Sequence, residues 1–202
     1  MLKFAHECFH LFQAEMRKDG IVNPFTDNYA GFNELSFPFD YDNEVIRSAM
    51  RLEAETIFNS IETDSLCAVP LSIPVRLFRH SQIVLQSVLS DSNKYKFKQW
   101  MEWSEGVAKY TEGKLALLIK DSADSALSDS FKRTFPDVDL SEVWEHNYKK
   151  WLNPIRFIGE GVRGRMMFYY SGMGKAIFLD QMGTGWKDGY FKYNLDYMIL
   201  NR

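Results

Sequence analysis

Apolar residues recur at three- and four-residue spacing along most of this 202-residue chain, whereas the two-residue alternation of a half-buried strand is weak throughout. That periodicity commits the chain to helices, each of which must bury one stripe against its neighbours. Over 2–17, Phe4, Cys8, Phe9, Leu11, Phe12 and Met16 give the pattern of a largely buried helix, ended by Asp19-Gly20. Asn23-Pro24, Gly31-Phe32-Asn33 and Phe37-Pro38 make 21–40 a long aromatic-rich loop. Through Phe25, Tyr29, Phe32 and Phe37 that loop can wall a pocket or pack on itself. Asp42 is placed to cap a second helix over about 43–61, and Pro70 and Pro74 lead to a third over about 75–89. A fourth covers roughly 96–120, split or kinked near Gly113, and a Ser/Asp-rich connection or short helix follows over 121–130. The next runs through Glu142 and Trp144 to Trp151, where Asn153-Pro154 should stop it. Gly159, Gly161 and Gly164 mark a turn with room for a short hairpin. The last strong helix starts at Met166 or Tyr170, reaches Met182, and gives way at Gly183-Thr184-Gly185 to an aromatic C-terminal segment. No repeat or low-complexity tract interrupts this order, so the expectation is a mainly α, multi-helix, single domain over 1–202.

Composition closes off several classes. With 24 Lys plus Arg against 27 Asp plus Glu, the net charge of -3 gives no electrostatic reason to expect a nucleic-acid partner. Two cysteines, Cys8 and Cys67, cannot build a disulfide framework, and low Cys content is compatible with the cytosol. No apolar run approaches the roughly 18 residues of a membrane span; the run over 115–119 stops at five. Met1-Leu2-Lys3 opens like a signal peptide, but His6, Glu7 and His10 interrupt the apolar stretch, so any export signal would lie upstream. Residue 1 is therefore expected at or near a structured element.

His6-Glu7-Cys8-Phe9-His10 is H-E-x-x-H on the first helix. Residues four apart stand one turn above another on one face, so His6 and His10 can both offer imidazole nitrogen to a single ion, for which zinc is the usual occupant. Glu7, beside the first ligand, is within reach of a water there as general base. The plainer reading is a pair of partly buried helix histidines with Glu7 solvated. A catalytic zinc needs a third protein ligand, and Glu105-Gly106-Val107-Ala108 supplies a candidate. Gly106 inside a helix costs about 1 kcal/mol against Ala, and close approach to the histidine helix would account for it. Glu102, one turn earlier on the same face, competes with Glu105, and Glu112 is placed to orient a ligand. Cys8 reads as an apolar filler on the core side; His80, His146, Arg163 and Arg165 read as surface residues.

His6-Glu7-Cys8-Phe9-His10 together with Glu105-Gly106-Val107-Ala108-Lys109-Tyr110 resembles the gluzincin class of zinc metallopeptidases, and within it bacterial metallopeptidases with a long insertion between the two helices. The resemblance implies zinc as cofactor, His6, His10 and Glu105 as ligands, Glu7 as base, and a peptide or protein as substrate. Tyr169-Tyr170-Ser171-Gly172 looks like the Tyr-x-x-Gly element of aminopeptidase-like gluzincins, in which the Tyr hydroxyl stabilises the oxyanion. Matching Gly172 gives Tyr169 that role, or Tyr170 if the register shifts by one; otherwise both are core aromatics. Gly185-Trp186-Lys187 is similar to the family too, and reads as packing. The 95 positions between His10 and Glu105 exceed the usual spacer, with room for two extra helices. The class also carries a β-rich part ahead of the first motif, whereas here the chain begins five residues before His6. The expectation is a helical half, the C-terminal part of a longer enzyme, with the missing N-terminal β-subdomain or a second copy of the chain as partner. An inactive metal-binding fragment or interaction module, and a helical bundle without metal, are the alternatives.

Overall fold

The structure is a computed structural model and describes residues 2–18, 35–62, 70–121, 133–134, 151–183 and 185–201. The helix Met166–Gln181 organises it. Its sequence is apolar on nearly every side, with Met167, Phe168, Met173, Ala176, Phe178 and Leu179 all buried, so it must be enclosed by other helices. In chain order these are α1 (Leu2–Lys18), α2 (Glu44–Glu62), α3 (Ser72–Val88), α4 (Ser92–Met101), a five-residue π turn (Glu102–Gly106) and α5 (Val107–Asp121). A helical turn at 151–156 precedes the central helix, α6, and α7 (Trp186–Gly189) and α8 (Leu195–Leu200) complete the set. α6 packs against α2, the π turn, α5, α4 and α8, while α2 pairs with α3 and α1 lies along α5. The described residues are thus mainly helical, as expected. None of the described helices is long and apolar enough to cross a membrane.

Several boundaries differ from expectation for local reasons. Asn43, not Asp42, caps α2: its Oδ1 accepts from the backbone N–H of Val45 and Ile46 at 2.9 and 3.2 Å. α3 begins at Ser72, because Pro74 falls in the first turn, where a missing N–H costs nothing. Pro154 sits inside the helical residues 151–156 without stopping them. The fourth helix is not kinked at Gly113. That glycine makes room for the Trp151 indole, which would lie 1.8 Å from an added Cβ. The irregularity is the π turn, ten residues after α4 begins. Around Gly159 and Gly164, both at positive φ, the chain forms a turn closed by a single bridge between Ile158 and Val162, not a hairpin. Gly183, also at positive φ, follows α6 as expected. Phe37 stacks on the buried Phe97 at 4.1 Å and so belongs to the core. Phe25, Tyr29, Phe32, Cys67, His146 and the helix expected through Glu142 and Trp144 lie outside the described residues.

α1 reverses the expected burial. Phe4, Leu11 and Phe12 are 72%, 67% and 47% exposed, and Cys8 is exposed too, not a core filler. The buried side chains are His6 and Gln13. Spacing locates a stripe but not which stripe turns inward; here hydrogen-bonding partners on α5 and α7's end draw the polar one in.

Candidate metal centre

α1 lies along α5 so that His6 and His10, one turn apart, face the end of the π turn. Glu105 Oε2 is 3.2 Å from His6 Nε2 and 3.2 Å from His10 Nε2, and the two Nε2 atoms are 3.0 Å apart. The other nitrogen of each ring is held from behind. His6 Nδ1 donates to Glu112 Oε1 at 2.9 Å, and His10 Nδ1 donates to Gln13 Oε1 at 2.8 Å. Gln13 is fixed in turn, because its amide donates to the Tyr190 hydroxyl at 2.7 Å, which donates to the Trp103 carbonyl at 2.6 Å. Glu112 also accepts from Lys109 Nζ at 2.6 Å.

With both Nδ1 atoms acting as donors, each neutral ring turns a lone pair toward the others, so three acceptors meet with no hydrogen among them. Such a triangle holds only around a positive charge. A proton serves in the metal-free state: hydrogen bonds to Glu105 and Glu112 lift His6 to about 9 against the effect of burial. Burial pushes the Glu105 carboxyl up, but hydrogen bonds from His10 and His6 reverse this and bring it to about 2. Burial lowers His10, and the hydrogen bond and charge of Glu105 outweigh it, leaving it raised.

A metal ion fits the same triangle. Tetrahedral zinc with ligands at roughly 2.0 to 2.1 Å sets them about 3.3 Å apart, close to the spacings found, and metal-ligating histidines ordinarily donate the remaining N–H to a carboxylate or amide oxygen. His6, His10 and Glu105 therefore suit an ion in residue type, spacing and outer hydrogen bonding.

Glu102 does not share the face of Glu105. A π turn accommodates one residue more than an α turn, so residues three apart diverge. Glu102 points into the core, 1% exposed, and Glu105 toward the histidines. Gly106 is explained by a different neighbour from the one expected. An added Cβ would lie 2.5 Å from Gly172 Cα on α6, and one on Gly172 would lie 2.3 Å from the Glu102 carbonyl oxygen. The glycine pair lets α6, not α1, touch the π turn. That contact brings Tyr169 to the site: its hydroxyl hydrogen-bonds Glu105, and its ring lies parallel to that of His6 at 6.0 Å. Tyr170 packs against the core. Glu7 is exposed on α1 beside His6 and joins none of the hydrogen bonds of the triangle. His80, Arg163 and Arg165 are exposed, and Trp186 is buried packing, with its indole donating to Asp180 at 2.9 Å.

Two features were missed. Gln13 lies three residues beyond His10 on the same stripe, a spacing that could have revealed it. The second is a closed cluster in the core, Glu53, Lys98, Glu102, Lys175 and Asp196, for which only the Lys98–Glu102 spacing gave a sign. Lys175 Nζ lies 2.8, 2.7 and 2.5 Å from Glu53, Glu102 and Asp196, and Lys98 Nζ lies 2.9 and 2.8 Å from Glu53 and Glu102. Two ammonium groups already occupy the space a cation would take between these carboxylates. Flanking α1 on another side is a cavity of about 600 Å³ lined by Phe9, Phe12, Tyr110, Lys114, Trp186 and Tyr190.

No family model, curated protein or solved structure matches the chain.

Proposed function

We propose that this chain is a zinc-dependent metallopeptidase of the gluzincin kind, with His6, His10 and Glu105 as ligands and Glu7 as general base. The observation that carries this is the triangle of three acceptor atoms with both Nδ1 atoms held from behind. A zinc held by His6, His10 and Glu105 would supply Lewis acidity to the scissile carbonyl and to the attacking water. Glu7 accepts the proton of the attacking water as its oxygen bonds to the scissile carbon, and returns it to the amine nitrogen as the peptide C–N bond then breaks. Tyr169 turns its hydroxyl from Glu105 to the carbonyl oxygen as negative charge develops there. Glu112 and Gln13 keep both imidazoles in the tautomer that leaves Nε2 free. The aromatic cavity beside Phe9 offers an apolar substrate side chain a wall to rest on.

The test is metal content and peptide hydrolysis measured together. Wild type should carry about one zinc per chain, and His10→Ala should carry none. Glu7→Gln should keep its zinc and lose hydrolysis of a quenched fluorescent peptide library by roughly 10²- to 10⁴-fold. Zinc at full stoichiometry in His10→Ala would overturn the ligand assignment. A second reading, a metal-binding helical module without hydrolytic activity, is favoured by the exposure of Glu7; zinc bound by a wild type that cleaves nothing selects it.

A further inference from the structure

The cluster of five charged side chains in the core asks for a reason, because stability does not supply one. Glu53, Lys98 and Lys175 are fully buried, and Glu102 and Asp196 are 1% and 4% exposed. Desolvating such groups costs about as much as their pairing returns, and well-packed apolar residues of similar volume usually do as well or better. What ion pairs add over apolar packing is direction. Glu102 is the cluster member that belongs to the π turn, and both its oxygens are fixed: Oε1 accepts from Ser171 Oγ at 2.6 Å, and Oε2 from Lys98 Nζ at 3.0 Å and Lys175 Nζ at 2.7 Å. Lys98 lies on α4 before the turn, while Ser171 and Lys175 lie on α6. The carboxylate is thus held from two helices at once.

A π turn is not a conformation that propensity chooses; where one persists, surrounding contacts impose it. If 102–106 relaxed to α geometry, Glu102 and Glu105 would return toward one face, and one of the two carboxylates would leave its partners. Ser171 also links the cluster to Tyr169, two residues earlier on α6, which hydrogen-bonds Glu105.

We propose that Glu102, anchored by Lys98, Lys175 and Ser171, is a positioning residue that fixes the π register and thereby aims Glu105 at His6 and His10. Its consequence for metal affinity rests on the reading of those three residues as zinc ligands.

Glu102→Met tests this, since it removes the anchor and leaves two lysines balanced by Glu53 and Asp196. Zinc affinity is measured by chelator competition, and the metal-free variant is crystallised. The expected result is zinc bound about 10- to 100-fold more weakly, with 102–106 in α geometry and Glu105 displaced from both Nε2 atoms. Leu85→Ala, buried in α3 outside the network, is the control: it lowers stability and should leave zinc affinity within about twofold. Wild-type affinity or an unchanged π turn in Glu102→Met overturns the proposal, as does an equal loss of affinity in Leu85→Ala. Should Glu102→Met not fold, Ser171→Ala removes one anchoring hydrogen bond without touching charge; a smaller loss of the same sign supports the proposal, and none overturns it. Failure of the wild type to bind zinc sinks the metal reading alone, and the crystal structure of the variant then decides the register.

Discussion

Glu102 and Glu105 leave one π turn three residues apart and meet opposite electrical surroundings. Around Glu102, two ammonium groups sit among three carboxylates in a space without solvent, and every carboxylate has an ammonium partner. Burial pushes the Glu102 carboxyl up in spite of the lysines. In Glu53, burial also pushes upward, but Lys175 and Lys98 prevail and leave it below its ordinary value. Around Glu105, three ligand atoms converge, and in the metal-free state the positive charge among them is a proton on His6. The closed cluster has more charge, deeper burial and more hydrogen bonds than the open one. What distinguishes the candidate metal centre is converging ligand atoms with no ammonium group between them, not the amount of charge gathered.

The largest test of this contrast is Lys175→Met. Removing one partner of the closed cluster strands buried carboxylates and should cost about 3 to 5 kcal/mol in urea unfolding. Glu105→Gln should cost far less; equal losses would erase the distinction. The open site should respond to pH. His6 sits at about 9, above its ordinary value, so its contribution to metal-free stability is complete below about 6.5 and lost as pH rises through about 9. Zinc has to displace that proton, and calorimetric titration at several pH values should show affinity rising about tenfold per unit up to about 9. A flat profile would mean that no proton occupies the triangle. In the closed cluster the sign is opposite. Asp196 and Glu53 lie below their ordinary values, so the stability they contribute is present at neutral pH and lost on acidification, and wild type should lose more between pH 5 and pH 3 than Lys175→Met does. Glu112→Leu removes the carboxylate behind His6 and should weaken zinc about 10- to 100-fold. Gln13→Leu, which removes a neutral acceptor behind His10, should give the smallest change, about tenfold.

The helices were legible because apolar spacing reports helical period directly, and the His6–His10 pair because four residues make one turn. Glu105 was reached through the oddity of Gly106, although the helix that needs the glycine is α6, through Gly172. The divergence of Glu102 from Glu105 was not legible. It depends on Ser171 and Lys175, 69 and 73 positions away, and an α-helical wheel carries no sign of them. The inward face of α1 misled for a related reason: Phe4 and Leu11 announce an apolar stripe, whereas the partners of His6 and Gln13 come from distant segments.

That reversed helix has a mechanical consequence. Among the described residues, α1 is held by Phe9 and Phe12 against Tyr190 and Phe191 and by directional bonds that run through two imidazoles and one amide. Such a fastening releases all at once, so α1 should detach locally at a free energy well below that of global unfolding, and its amides should exchange with deuterium ahead of those of α6. An ion gripped by His6, His10 and Glu105 would then act as a rivet, and zinc should slow exchange in α1 selectively. In that case the occupancy of the centre sets how long the first helix stays docked.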